Sequence, residues 1–442
     1  MKIYLMICCA CLSAHLLTAQ QKDHNSGANS ETPPKFGITT LTPPWLDLKP
    51  GPVYWPRTRM WQGIPSIERA PGGRLWATWY TGGIAEGKGH NHQLIVTSND
   101  DGYTWSKPVA VYDPGRQLLG GDGGDPHVWL DPNGKLWWFV HRVMPSPGIF
   151  PRTSWGFYTD EPDNPNPKWK GPVFAGYGYS LNKETVLSNG TWLHMIDPFS
   201  KSLDTSSPLT LKGAHVYKFA GYDKPFERIG HVEIQETPFT EHMIVERKNG
   251  SLWMLARSKS GLAQATSQDK GRTWKELEMF TKDLNVNTRF YLGKLASGNL
   301  LLIVNNHPKK RDNMTAMLSE DDGKTWPYTL VLDEREFVSY PDATQAKDGT
   351  IYATYDRGRY QKDMQEILMA KFTESDIKAG RIITPSSRLK QTINRLANEG
   401  GGVRYSGESF DMTTQYQKMT DSLKVVVLEE GEKAELRKKN LP

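Results

Sequence analysis

The chain has 442 residues, 23% of them charged, and a formal net charge of only +5 with no basic run ahead of the C-terminal end. Nothing in that balance argues for a partner held through nucleic-acid phosphates, and none is expected; the length suits one large domain rather than several small ones. Aromatic residues make up 11%, including 15 Trp, which serves close packing and, at a surface, stacking on sugar rings.

Residues 1–20 read as a signal peptide: Lys2, an apolar core from Ile3 to Leu17, then small residues at Thr18-Ala19. Cleavage is expected near Ala19 or Gln20, with export to the periplasm or beyond. The apolar stretch is too short for a retained membrane span. Cys8, Cys9 and Cys11 all lie inside it, so the expected mature chain has no disulfide, thiolate nucleophile or cysteine metal site. Residues 21–35 are polar and expected to be a disordered leader.

From 36 to 385 the chain repeats. Six turns share one form: Pro71-Gly72-Gly73-Arg74-Leu75-Trp76, Pro132-Asn133-Gly134-Lys135-Leu136-Trp137, and their counterparts centred on Gly190, Gly250, Gly298 and Gly349. These glycines recur every 48–61 residues, each between strand-like segments such as Leu75-Trp76-Ala77-Thr78-Trp79-Tyr80. A period of about 50 with several short strands per unit is the signature of β-propeller blades. A second pattern, Ser-x-Asp-x-Gly-x-Thr-Trp, occurs at 98–105, 267–274 and 319–326. Its Asp caps backbone N–H groups of a hairpin turn, its Gly supplies positive φ, and its Trp packs the next strand. The expected fold is therefore all-β, a six-bladed β-propeller with Asp-box repeats. The Pro- and Asn-rich stretch Pro145 to Lys170 is expected as a loop over one face, where it would shape substrate access. From 386 to 442 the blade pattern ceases, and this C-terminal tail is expected to be a docked helix or partly disordered.

Four residues stand where strands of successive units begin or end: Glu241, Arg257, Arg289 and Tyr340, the last in Ser339-Tyr340-Pro341-Asp342. With the boxes and the six turns, this set resembles the sialidases, over about 350 residues of the chain. The resemblance implies a Tyr340 nucleophile paired with Glu241, and Arg257 and Arg289 as the second and third arginines of a carboxylate clamp. Two departures stand out. The family's first clamp arginine opens an Arg-Ile-Pro motif, where this chain has Gly63-Ile64-Pro65 preceded by Gln62, leaving Arg59 as the nearest upstream candidate. The acid/base Asp expected some 25 residues later is also absent, so Glu86, His90 or His92 would have to stand in.

The chemistry of these residue types is consistent with that set. A guanidinium fork matches a carboxylate and keeps its charge. A Glu beside a phenol accepts its proton. Histidine as a residue type ordinarily titrates near neutrality, which makes His90, His92 and His127 candidate acids or bases. The expectation is an exported enzyme acting on the non-reducing end of an acidic oligosaccharide or polysaccharide by exo-glycoside hydrolysis. One alternative is β-elimination at a uronic acid, with Arg neutralising the carboxylate and His or Tyr removing the C5 proton. Another is a non-catalytic glycan-binding propeller. His90-Asn91-His92 lacks an accompanying carboxylate pattern, so no metal and no cofactor is expected.

Overall fold

The six glycines of the repeated turn all adopt positive φ, from +79° to +106°, as a tight hairpin between a first and a second strand requires. In the computed structural model, which describes residues 42–396 apart from 84–85, 88–89, 118–119, 144–151, 199–212, 235–236, 238, 285–286 and 362–364, each such hairpin opens a blade.

Blade one is β1 (Trp61–Arg69), β2 (Leu75–Gly82), β3 (His92–Ser98) and β4 (Ala110–Tyr112). Blade two has its inner strand in two pieces, β5 (Asp122–Gly123) and β6 (His127–Leu130), both paired with β7 (Leu136–Val143), followed by β8 (Arg152–Thr159) and β9 (Lys170–Tyr177). Blade three is β10 (Thr185–Val186), β11 (Trp192–Ile196), β12 (Ala214–Lys218) and β13 (Glu227–Val232). Blade four is β14 (Met243–Glu246), β15 (Leu252–Ser258), β16 (Gly261–Ser267) and β17 (Lys275–Glu276). Blade five is β18 (Tyr291–Lys294), β19 (Leu300–Asn305), β20 (Met314–Ser319) and β21 (Tyr328–Asp333). Blade six is β22 (Val338–Gln345), β23 (Ile351–Arg357), β24 (Glu366–Phe372) and β25 (Arg388–Arg395). All are antiparallel, and each blade comes from one continuous stretch of chain.

The second and third strands of most blades are apolar on both faces, because a blade packs against a neighbour on each side. β2, β3, β20 and β24 are buried at every residue. Six apolar clusters accordingly lie between successive blades, including one joining blades six and one through Ile67, Leu94, Tyr352 and Met369. Among the described residues no strand is exchanged to close the ring. Instead Gln62 Nε2 donates to the Gln365 carbonyl (3.0 Å) and Arg59 Nη2 to Asn394 Oδ1 (3.0 Å) across the same seam.

The axis is tied by one buried lysine. Lys183 Nζ donates to the carbonyls of Ile67 (2.6 Å) and Val128 (2.7 Å) and to Glu68 Oε2 (2.9 Å), with Asp342 Oδ2 at 3.4 Å. Burial alone would lower its pKa, but the Asp342 and Glu68 carboxylates raise it, so it stays charged.

The Asp-boxes form the hairpins between third and fourth strands. In the first, Asp100 accepts from the Thr104 N–H (2.9 Å) and hydroxyl (2.5 Å), while Ser98 Oγ accepts from the Gly102 N–H (3.0 Å). Asp269 and Asp321 do the same for Thr273 and Thr325. First-to-second and third-to-fourth hairpins lie at the same end of each blade. The boxes and glycine turns therefore share one end of the ring, and the second-to-third loops and inter-blade links share the other.

Two sequence expectations are corrected. The stretch from 145 to 170 is not simply a loop: Arg152–Thr159 is β8, whose Thr-Ser-Trp-Gly-Phe core is buried. Its connection to β9 lies at the turn end, where Asp163 accepts from the Gly72 N–H (2.9 Å) and the Pro162 carbonyl from Trp76 Nε1 (2.7 Å). The propeller also continues past 385, because Arg388–Arg395 is the outermost strand of blade six. As a half-exposed edge strand it carries a polar alternation and no glycine turn. A short helix, α1 (Glu374–Ala379), precedes it, with a capping box between Thr373 and Asp376. The segments expected as signal peptide and leader, and the tail from 397 onward, lie outside the described residues, and no helix among those described is long and apolar enough to cross a membrane.

Candidate functional site

At the end opposite the Asp-boxes, the inner strands of blades one and six begin with an irregular step. In β1 the register shifts between Gly63 and Ser66, and in β22 between Ser339 and Asp342. Ile64 and Tyr340, each followed by proline, sit in these bulges at φ +61° and +58°. Glu241, just before β14, has φ +37°. Non-glycine residues in this region are strained, and the surrounding packing must hold them there.

The result is a compact cluster. Tyr340 Oη donates to Glu241 Oε1 at 3.1 Å, and Arg257 Nη1 donates to both, at 2.7 Å to Glu241 Oε1 and 3.0 Å to Tyr340 Oη. Arg257 Nε is held by Asn287 Oδ1 (3.0 Å). Glu241 Oε2 is buried with no hydrogen-bond partner among the described residues. Burial and the Glu241 carboxylate push the Tyr340 phenol up to about 12, against the pull of Arg257, Arg359 and Arg311. Tyr340 is thus a neutral phenol at neutral pH, with a carboxylate placed to take its proton.

Arg289 also belongs to this cluster, with both terminal nitrogens on backbone carbonyls and its Nε buried without a hydrogen-bond partner among the described residues. It is fully buried, with Nη1 on the Leu181 carbonyl (2.9 Å) and Nη2 on the Pro65 (2.8 Å) and Tyr340 (3.3 Å) carbonyls. Arg59 and Gln62 are turned away, into the seam between blades one and six, and Arg59 lies over Trp79 at 5.7 Å.

The three histidines are elsewhere: none makes a hydrogen bond to Tyr340, Glu241 or Arg257. His92 is buried edge-on against Tyr54 at 4.9 Å, and burial together with Arg59 pushes it down to about 3, too low for a base near neutrality. His90, at φ +66°, lies near Asp113. His127 is fully buried in blade two, stacked on Phe139, with Nδ1 2.9 Å from the Ser180 carbonyl and Nε2 3.4 Å from Glu184 Oε1. With His194 it forms a His-Glu-His group whose ligand atoms lie within 4.8 Å of one another. His194 Nδ1 is only 2.7 Å from Glu184 Oε1, a hydrogen-bond distance.

Three residues that the sequence reading did not single out complete the site. Asp125, between β5 and β6, is partly buried; desolvation and the Glu86 and Glu241 carboxylates raise it to about 8, against Arg289 and Arg359. It opens an inner strand as an X-Pro pair, Asp125-Pro126, just as Ile64-Pro65 and Tyr340-Pro341 do; that recurrence was the available signal. Arg359 lies with its guanidinium carbon 4.2 Å from the Tyr340 ring centre, and Arg311 at 5.4 Å. Both come from second-to-third loops, which carry no repeat pattern. Glu86 accepts from the Tyr360 hydroxyl across the seam. Burial would raise the Glu86 carboxyl, but Arg359 and the Tyr360 and Tyr80 hydroxyls hold it below the usual range. Two neighbouring carboxyls are therefore pushed apart, Asp125 holding a proton and Glu86 ionised.

A separate cavity of about 510 Å³, lined by Arg69, Arg74, Asp100, Asp163, Tyr352 and Lys371, lies at the turn end. Its mixed-charge wall contains none of these groups.

Residues 180–353 match the BNR repeat-like domain. No curated protein matches the sequence. Among solved structures, the chain is similar to a Hadza microbial sialidase, with a TM-score of 0.57 and 19% identity over 72% of this chain and 66% of that one. It is similar to the intramolecular trans-sialidase from Ruminococcus gnavus, with a TM-score of 0.55 and 15% identity over 74% of this chain and 97% of that one. It is also similar to the NanB sialidase from Streptococcus pneumoniae, with a TM-score of 0.54 and 13% identity over 75% and 70% of the two chains. In fold, the chain is a six-bladed β-propeller similar to these structures, with the BNR repeat-like match confined to residues 180–353.

Proposed function

We propose that this protein is an exported exo-glycoside hydrolase that acts on the non-reducing end of a carboxylated glycan. The observation that carries the reading is the triangle of Tyr340 Oη, Glu241 Oε1 and Arg257 Nη1, each pair within 3.1 Å. Tyr340 Oη attacks the anomeric carbon and passes its proton to Glu241, while Arg257 stabilises the phenolate character that develops. The glycosidic C–O bond breaks as the leaving oxygen takes the proton held by Asp125. Water, deprotonated by the Asp125 carboxylate, then attacks the anomeric carbon of the Tyr340 adduct, and Glu241 returns the proton to the phenolate. A neutral phenol suits a substrate with its own carboxylate, since a carboxylate nucleophile would meet like-charge repulsion at close range. The likeness to sialidase structures supports the fold on which this chemistry would run; the acidic substrate and the export are our inference from the arginines and from residues 1–20.

The test is a panel of chromogenic glycosides, sialosides and uronosides beside neutral sugars, run with Tyr340→Phe and Glu241→Gln. Hydrolysis of an acidic member that both substitutions abolish is the expected result. Turnover that yields an unsaturated uronate, or that survives both substitutions, would overturn the hydrolytic assignment.

A further inference from the structure

Between blades two and three lies a buried polar group that the proposed chemistry does not use. Lys183 and Glu184 are neighbours in the chain, but their side chains part. The lysine binds Glu68 and the Val128 carbonyl, while the glutamate meets His127 from the inner strand of blade two and His194 from the second strand of blade three. Side-chain exposure is 0% for Glu184 and His194 and 1% for His127. The surroundings are apolar: Phe139 is stacked 4.5 Å from the His127 ring, and Phe226 lies 4.7 Å from that of His194. A carboxylate buried in such a place needs a cation beside it. Lys183 is already committed to Glu68, Asp342 and two carbonyls.

The proton positions narrow what that cation is. His127 Nδ1 lies 2.9 Å from the Ser180 carbonyl, which can only accept, so Nδ1 carries the hydrogen. Ser180 is fixed in turn by its own N–H, which donates to His141 Nε2 at 2.9 Å. In a neutral ring His127 Nε2 is then a lone pair, and it faces Glu184 Oε1, a second acceptor, at 3.4 Å. Either a second proton or a metal ion must lie between them. A proton would draw the pair to about 2.7–2.9 Å, the charge-assisted length. His194 Nδ1 shows that length, 2.7 Å from the same oxygen. A tetrahedral zinc with bonds of about 2.0–2.2 Å instead sets its ligand atoms about 3.4 Å apart. Two further atoms of the group, Glu184 Oε2 and His194 Nε2, are buried with no hydrogen-bond partner among the described residues.

We propose that His127, Glu184 and His194 bind a divalent transition-metal ion of the zinc class, which pins blade two to blade three. Two imidazoles and a carboxylate are the donor set such an ion takes, and their ligand atoms lie within 4.8 Å of one another. The Ser180 carbonyl on the far nitrogen of His127 is the outer contact that fixes the tautomer of a ligating ring. On binding, the proton between His194 Nδ1 and Glu184 Oε1 leaves to solvent. The sequence alone predicts no metal, because positions 127, 184 and 194 share no motif spacing. The role is structural, since the burial leaves no open position for a substrate.

The test uses the full chain, produced without a metal-affinity step from cultures supplemented with zinc or with cobalt and exchanged into metal-free buffer. Plasma mass spectrometry should find about one metal ion per chain. The cobalt protein should show the intense visible absorption of four-coordinate cobalt(II). Glu184→Gln and His194→Gln should each retain less than about a tenth of the wild-type metal. Both should melt at a lower temperature than wild type and no longer respond to added zinc. His231→Ala, a change at an exposed histidine, should keep the full metal content. Wild-type protein that holds less than about a tenth of an equivalent from either culture overturns the proposal and leaves a proton-sharing His-Glu-His group. So does a six-coordinate cobalt spectrum, or metal content that Glu184→Gln and His194→Gln both keep. Should neither variant fold, the wild-type metal count and the cobalt spectrum decide alone.

Discussion

Replacing Asp125 by Asn probes the site through stability as well as through rate. The Asp125 carboxyl is raised from its ordinary value near 3.8 to about 8 by desolvation and by the Glu86 and Glu241 carboxylates. The sign follows from proton counting. Between about pH 4 and pH 8 the folded state keeps a proton that the unfolded chain has released, so stability falls as pH rises through that window. Below it both states are protonated, and above it the full cost is in place. One group shifted this far would cost about 1.36 kcal/mol per pH unit, or roughly 5 kcal/mol across the window. Glu86 shares the titration and Asp125 is partly exposed, so about half of that, 2–3 kcal/mol, is the expected effect. Urea unfolding of wild type and Asp125→Asn at acid, neutral and alkaline pH measures it together with the coupled change at Glu86, since the titrations of groups not coupled to Asp125 cancel in the difference. The Asn variant should gain on wild type steadily as pH rises. A difference that is constant with pH, or that shrinks, would refute both the raised carboxyl and its assignment as the acid. In the rate, wild-type kcat/KM should fall along an alkaline limb near pH 8 that the Asn variant lacks.

Tyr340→Phe and Glu241→Gln should each lower kcat about 10²–10⁴-fold while the melting temperature holds, as steady-state assays and calorimetry on the same preparations would show. Lys183→Met leaves Glu68 and Asp342 buried without their cation, and unfolding titrations should show a loss of about 3–5 kcal/mol. Gly323→Ala puts a Cβ 2.5 Å from the Trp253 ring at φ +85°, and should cost about 1–3 kcal/mol, read from the denaturation midpoint. If residues 1–20 are removed, the remaining chain has no cysteine and its melting temperature should be the same with and without reductant.

What could be read from the sequence, and what could not, divides along local and non-local lines. The blade count was legible because a first-to-second hairpin needs positive φ, and a glycine supplies it six times. The Asp-boxes were legible because their capping bonds run between residues two to four apart. β8 was hidden by the Pro- and Asn-rich residues on either side of it, and β25 by a polar alternation without a blade turn. In the site, Glu241, Arg257 and Tyr340 stand at strand ends, where the repeat fixes which way a side chain faces. Arg59 and Gln62 lie as close in sequence to the expected motif, yet their side chains follow the ring-closing seam, which no local pattern encodes. Arg359 is the extreme case. Nearly three hundred residues separate it from Gly63, and only closure of the ring brings its side chain against that glycine. That contact holds position 63 as glycine, because any side chain there would meet the Arg359 stem.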